Sequence, residues 1–253
     1  MLLRVEKVEK DFEGLVALKD VTFELARGGI TGIIGPNGAG KTTLFNVITG
    51  LLPITGGRVS FKEKEITGLP CHRIASQGLV RTFQNVRPFR EMTVLENVLT
   101  GLHAGKTDGF FASSLRTPRQ VKKEKEKFRE VYHILDLLDL EGQWENNPGS
   151  LPFAKLRRLE IARALAARPE LILLDEPAAG LNRSETSQLI QILRRINQKG
   201  ITLLLVEHDM RMVMGVVDHL IVLDTGRIIA QGAPEEISQN PEVIRAYLGE
   251  KEV

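Results

Sequence analysis

Apolar and polar positions follow two rhythms along the 253 residues. In the first third, short β-type runs at Leu2 to Val5, Val21 to Leu25 and Val59 to Phe61 are punctuated by Gly14, Gly28-Gly29 and Gly56-Gly57, which read as turns. Ile30 to Ile34 is mostly apolar and ends at Gly35, the pattern of a buried strand. From Lys41 the apolar side chains change spacing, recurring at Leu44, Val47, Ile48 and Leu51. That is one face of a helix, and Gly50 and Pro53 end it.

Residues from about 90 to 165 carry helical patterning without strong strand signals. Val121 to Leu140 predicts one amphipathic helix or two short ones, and Gly105 to Pro118 reads as a loop or short insertion. The last third alternates again: a strand at Leu171 to Leu174, a helix at Glu185 to Gln198, a strand at Thr202 to Val206, a helix around Met210 to Val217 and a strand at Leu220 to Leu223. Strand–helix alternation predicts an α/β fold, a parallel sheet with helices on its faces. No internal repeat interrupts it.

Composition narrows the class. With 42% hydrophobic and 26% charged residues, the chain is an ordinary globular sequence, which excludes disordered, collagen-like and low-complexity architectures. The longest aliphatic runs, Ile201 to Val206 and Leu171 to Leu174, are too short to span a bilayer. Met1 to Glu6 lacks the basic start and apolar stretch of a signal peptide, so the chain is expected not to enter a membrane by itself. The single cysteine, Cys71, excludes an internal disulfide and a cysteine-rich zinc site, and it fits a reducing cytosol. The 34 basic and 32 acidic residues leave a net charge of +2, too small for a broad field favouring nucleic acid. The one charge run, Lys122 to Lys127, alternates in sign and reads as a solvated helix face.

Four motifs carry candidate chemistry. Gly35-Pro36-Asn37-Gly38-Ala39-Gly40-Lys41-Thr42-Thr43 fits G-x-x-x-x-G-K-[ST] between a strand and a helix. Its glycines let the backbone turn tightly and aim several N–H groups at one point, and the following helix adds its positive end. Lys41 would reach the β- and γ-phosphates of a nucleotide, and the Thr42 hydroxyl would bind Mg²⁺. Leu171-Ile172-Leu173-Leu174-Asp175-Glu176-Pro177 delivers Asp175 from the end of a buried strand, where it suits Mg²⁺. Glu176 is the candidate for polarising water. His208, in Glu207-His208-Asp209 directly after a strand, faces the same crevice and can hydrogen-bond a γ-phosphate. Gln84, in Arg81-Thr82-Phe83-Gln84-Asn85, is by itself a glutamine in a polar loop.

In this order, these elements resemble the ATP-binding subunits of ABC transporters over nearly the whole chain, from about residue 3 to residue 249. The resemblance implies a P-loop NTPase fold, an ABC nucleotide-binding domain made of a RecA-like core, an antiparallel β subdomain and an α-helical subdomain. The chain 1–253 would be one such domain, with the core and β subdomain in 1–90 and 166–253 and the helical subdomain at about 90–165. Phe12 falls where an aromatic residue stacks on adenine, with Val16 adding an apolar contact. Gln84 matches the Q-loop glutamine, a ligand of Mg²⁺ and water that also couples to the membrane partner. Asp175 and Glu176 match the Walker B aspartate and catalytic glutamate, and His208 the switch histidine. Ala179-Gly180-Leu181-Asn182 lies where the family has its D-loop, with Asn182 in place of the usual aspartate.

The stretches Arg81 to Val94, Arg157 to Leu165 and Glu176 to Asn182 are similar to the LivG-type subunits of branched-chain amino-acid importers. The family signature, usually Leu-Ser-Gly-Gly-Gln, falls at Leu151-Pro152-Phe153-Ala154-Lys155. Pro152 has neither hydroxyl nor N–H, Ala154 keeps its N–H, and Lys155 puts a cation at a helix N-terminus. Two readings follow: a slower composite site shared with a paralogous subunit, or a lineage variant with ordinary turnover. The resemblance implies ATP hydrolysis with Mg²⁺ in a head-to-tail dimer with a paralogous subunit or a second copy. Two transmembrane permeases, a periplasmic binding protein acting indirectly and no nucleic acid complete the expected partners. The place is the cytoplasmic face of the inner membrane, peripheral, and the isolated chain would be soluble. Alternatives are the ATPase of a urea or amide importer or of a lipopolysaccharide exporter, and a weakly active regulatory module.

Overall fold

The computed structural model describes residues 1–82, 87–102 and 118–248. Two sheets organise them. The first is antiparallel, in the order β2-β1-β4-β5, from β1 (Leu3–Phe12), β2 (Leu15–Leu25), β4 (Gly56–Phe61) and β5 (Lys64–Glu65). The second runs β10-β9-β3-β8-β7-β6, from β3 (Ile30–Ile34), β6 (Leu79–Arg81), β7 (Leu171–Asp175), β8 (Thr202–Val206), β9 (His219–Asp224) and β10 (Arg227–Gly232). Its strands β3 and β6 to β9 are parallel, and β10 is antiparallel at one edge. The helices are α1 (Lys41–Ile48), α2 (Cys71–Ser76), α3 (Val94–Leu102), α4 (Pro118–Leu137), α5 (Phe153–Ala166), α6 (Arg183–Gln198), α7 (Met210–Val216), α8 (Pro234–Ser238) and α9 (Pro241–Leu248).

Strands β3, β7 and β8 are buried along their whole length, and successive side chains feed opposite cores. Leu171, Leu173, Leu204 and Val206 join Leu44 and Phe45 of α1 and the inner face of the antiparallel sheet. Ile172, Leu174, Leu203 and Leu205 join the helices on the other side, including Val98 of α3, Leu135 of α4 and Leu159 of α5. The segment read as helical is therefore α3, α4 and α5, and its apolar face is continuous with one side of the parallel sheet. Each such buried leucine contributes about 1.5–3 kcal/mol. Residues 121–137 lie in one helix, α4, on which Lys122, Glu124, Lys125 and Glu126 are exposed.

The first third departs from the short strands expected there. β1 and β2 run 10 and 11 residues and pair across a tight turn at Glu13 and Gly14, both at positive φ. Register shifts within them break the period of two on which the sequence reading relied. Gly56 and Gly57, expected as a turn, begin β4. At Gly57, φ is 84° and an added Cβ would lie 2.2 Å from the Lys7 carbonyl oxygen, so the glycine permits a close strand approach. The short elements α2, β6, α8 and α9 and the edge strand β10 carried too little periodicity to be read.

Candidate active site

The phosphate-type loop joins β3 to α1. Gly40 caps α1 at φ 99°, and a Cβ there would lie 2.6 Å from the Ala17 carbonyl oxygen of β2, so only glycine fits. The loop is braced on its other side, where Gly226 N–H donates to Ala39 O at 3.0 Å. Asn37 and Gly38 form the exposed turn, Ala39 is buried, Thr42 is exposed at the helix start and Thr43 is half-buried. The Lys41 ammonium donates to Gly35 O at 2.7 Å and Pro36 O at 2.8 Å. Burial pushes its pKa down, against the Glu176 charge, which raises it. Lys41 is thus a desolvated cation held by neutral carbonyls near an acidic side chain, and phosphate oxygens would be stronger acceptors for it. From α9, the Tyr247 phenol reaches the start of this loop at Gly35, and burial pushes its pKa up.

The acidic pair stands at the end of β7. Asp175 is buried and accepts from Arg81 Nη2 at 2.6 Å. Breaking such a buried pair from one side costs about 3–5 kcal/mol. Glu176, at φ 46°, leaves the strand with its N–H donating to Val206 O at 3.0 Å, which turns its carboxylate toward the neighbouring strand end. His208 follows β8, is exposed, and places Nδ1 3.9 Å from Glu176 Oε1. Lys41, Glu176 and His208 therefore gather at the carboxyl ends of β3, β7 and β8, the side where parallel sheets bind ligands.

Thr42 and Asp175 offer a hydroxyl and a carboxylate. Among the described residues, no cluster of three or more His, Cys, Asp or Glu side chains could form a metal cage. Hard oxygen donors in small number suit Mg²⁺ bound together with substrate phosphates. Gln84, the third ligand expected from the resemblance, lies outside the described residues, as does most of the stretch 105–118.

Phe12 and Val16 sit at the tip of the β1–β2 hairpin, 41% and 48% exposed, so neither serves as core packing. The Lys10 ammonium lies 4.7 Å from the Phe12 ring centroid. At the signature, Pro152 opens α5 with no side-chain cap, and its carbonyl accepts from Lys155 and Leu156 N–H. Leu151 and Ala154 are buried, Lys155 is half-buried, and Phe153 is exposed. A Cβ on Gly180 would come within 2.9 Å of the Phe153 ring, so the signature and the loop after Glu176 touch through a glycine. Asn182 closes that loop as the N-cap of α6. Its side chain accepts from Ser184 and Glu185 N–H, and the Glu185 carboxylate accepts in return from Asn182 N–H.

Three residues near the site carried no assignment in the sequence reading. Glu207 is 0% exposed, and its carboxylate accepts from Ala178 N–H at 2.8 Å, His208 N–H at 3.1 Å and Asp209 N–H at 3.4 Å. Burial pushes its pKa up against those three bonds. It thereby ties the turn after Glu176 to the turn carrying His208. A carboxylate directly after the apolar run 202–206 was the available signal. Arg81 and Glu160 had none, because their partners come from distant parts of the chain.

Glu160, on α5, accepts from Arg87 N–H at 3.2 Å, while Arg163 donates to Arg87 O at 3.1 Å and covers the Phe89 ring. This clamp fixes the chain three residues beyond Gln84. Burial pushes Glu160 up to about 7, outweighing the Arg87 N–H and the Arg157 and Arg163 charges. The folded protein then keeps a proton to about pH 7 that the unfolded chain releases near 4.5, so this group makes stability fall as pH rises through that window. Urea unfolding at pH 5 and pH 7.5 should show Glu160→Gln removing up to about 3 kcal/mol of that fall. Equal pH slopes in the two proteins would remove Glu160 as its source.

The fold and site have counterparts among known proteins. The ABC transporter family model matches residues 18–179, and a model described as branched-chain amino acid ATP-binding cassette transporter matches residues 227–253. The high-affinity branched-chain amino acid transport ATP-binding protein BraF of Pseudomonas aeruginosa is 43% identical over 98% of both chains. LivG of Salmonella typhimurium, named for the same transport, is 45% identical over the same shares. A nucleotide-free ATP-binding cassette from an ABC transporter superposes with a TM-score of 0.85 at 37% identity, covering 98% of this chain and 99% of that one. A dimeric cassette in a post-hydrolysis state bound to ADP and Pi does so with a TM-score of 0.76 at 25% identity, covering 92% and 99%.

Proposed function

The chain belongs to the ABC transporter family of ATP-binding cassettes, and on that premise we propose that it is the ATPase subunit of an importer for branched-chain or other hydrophobic amino acids. The observation that carries the reading is the gathering at the strand ends, where the Glu176 charge acts on Lys41 and its carboxylate lies 3.9 Å from His208 Nδ1. The LivG and BraF relatives supply the substrate class.

Lys41 and the N–H groups of the loop 35–43 take the β- and γ-phosphate charge of ATP. Glu176 orients or deprotonates the attacking water, and His208 donates to the γ-phosphate. Phe12 and Val16 bound the adenine. Thr42, Asp175 and Gln84 would hold the metal. Bound Mg²⁺ supplies charge neutralisation between the phosphates.

Residues 151–155 of one cassette close the nucleotide site of the other in a head-to-tail dimer, either with a paralogous subunit or with a second copy. Among the described residues no helix is long and apolar enough to cross a membrane. In this reading the translocation path belongs to two permease subunits on which this chain sits at the cytoplasmic face, fed by a periplasmic binding protein.

The test is affinity purification of the tagged chain from its native membrane, followed by mass spectrometry. Two permeases and a paralogous ATPase should copurify, and deleting the permease genes should abolish uptake of labelled leucine. Recovery of no membrane protein, under conditions that keep other transporters intact, would overturn the transport reading.

A further inference from the structure

Arg81 ends β6, and its side chain is inserted between two other elements, α1 and β7. Its side chain is 7% exposed, beside an Asp175 side chain that is 5% exposed. Nη2 donates to Asp175 Oδ2 at 2.6 Å, and Nη1 donates to Asn46 Oδ1 at 2.6 Å. The guanidinium carbon lies 5.5 Å from the Phe45 ring centroid. Phe45 and Asn46 belong to α1, which opens at Lys41. Asp175 ends β7, and the next residue after Arg81, Thr82, donates its N–H to Leu173 O. One cation thus touches the helix that follows the phosphate loop and the acidic strand end, and it is carried by the segment that runs on toward Gln84.

A guanidinium is a permanent cation, more weakly hydrated than an ammonium and suited to burial. Opposite it stands a carboxylate with two oxygens, and Arg81 occupies one of them. A divalent cation arriving at Asp175 would meet a carboxylate whose charge is already shared. It would also meet a second positive charge at close range, where low dielectric makes repulsion strong.

We propose that Arg81 is a positioning residue that serves as the internal counter-cation of Asp175: it balances the buried carboxylate before metal arrives, and it weakens the hold of Asp175 on the metal. The pair makes metal occupancy a reversible exchange of partners, and Asn46 and Thr82 carry that exchange to α1 and to the segment before Gln84. The inference rests on the reading of Asp175 as a metal carboxylate, and its test separates the two.

The experiment is equilibrium binding of a fluorescent ADP analogue to the full chain, first in EDTA and then across a Mg²⁺ titration. In Arg81→Gln the Mg²⁺ concentration at half-effect should fall about tenfold, equivalent to about 1.4 kcal/mol. Affinity in EDTA should stay within about twofold, because the nucleotide contacts are untouched. Arg81→Lys, which keeps the charge, should stay near wild type. A raised Mg²⁺ requirement in Arg81→Gln would mean that Arg81 presents Asp175 to the metal, and would overturn the proposal. So would equal shifts in EDTA and Mg²⁺, the mark of a merely structural role.

Asp175→Asn in an otherwise wild-type chain should raise the Mg²⁺ requirement. If it does not, the metal reading of Asp175 fails on its own. If Arg81→Gln melts too low to titrate, its melting temperature in EDTA reads the pair. Adding Asp175→Asn should then recover at least half of the loss, since the lone buried carboxylate is gone. A double variant no more stable than Arg81→Gln would overturn the proposal.

Discussion

Glu176→Gln should slow ATP hydrolysis by about three orders of magnitude while leaving ATP binding nearly intact, within the range for loss of a positioned general base. The amide has the shape of the carboxylate, so the backbone at φ 46° and the Glu176 N–H bond to Val206 O are preserved. What disappears is the negative charge that faces Lys41 and lies 3.9 Å from His208 Nδ1. A neutral amide can neither accept a proton from water nor hold it as firmly toward the γ-phosphate. Single-turnover phosphate release, read beside retention of labelled ATP on a filter, separates the two effects. Turnover within tenfold of wild type would place the base on another residue.

Lys41→Met should instead abolish binding, raising the ATP Kd by about a hundredfold or more. The ammonium is buried and already desolvated, so that part of the cost is met in the folded protein before nucleotide arrives. Its present acceptors, the Gly35 and Pro36 carbonyls, are neutral. Exchange for phosphate oxygens replaces two bonds in which only the donor is charged by pairs in which both partners are, the stronger and shorter class. Methionine fills a similar volume at the start of α1, so the melting temperature should change little. Isothermal titration with ATP and a thermal melt on the same sample check both halves. A Kd within tenfold of wild type would show that the loop N–H groups suffice.

The site was legible where its chemistry is local. The run 35–43 folds as read because the phosphate loop is one turn between one strand and one helix. The bounds expected for β3 and β8, Ile30 to Ile34 and Thr202 to Val206, are those observed: glycines flank β3, and β8 ends where Glu207 follows its apolar run. Asp175 stood out as a carboxylate at the end of four aliphatics. The long β1 and β2 were not legible, because their register shifts put Lys7 and Asp20 at positive φ and interrupt the alternation. Gly56-Gly57 misled for the opposite reason: glycine marks a turn in sequence, yet here it lets two strands approach.

The pairs Arg81–Asp175 and Glu160–Arg87 are separated by 94 and 73 positions. No pattern along one chain shows them until the order of the strands is known. The roles of Phe12, Val16 and residues 151–155 rest on resemblance joined to exposure, not on any local rule.

The place of β3 in its sheet governs when the site can form as well as where. Among the described residues its hydrogen-bonded neighbours are β8 and β9, which begin at Thr202 and His219. While a ribosome is making this chain, the phosphate loop emerges about 160 residues before the strands that flank its base. Until then the apolar residues Ile30, Ile33 and Ile34 have no sheet to enter, although β1, β2 and β4 can already pair. Nascent chains halted before residue 200 should therefore expose β3 to chaperones and fail to retain nucleotide, and the loop becomes competent only once β8 and β9 have been delivered.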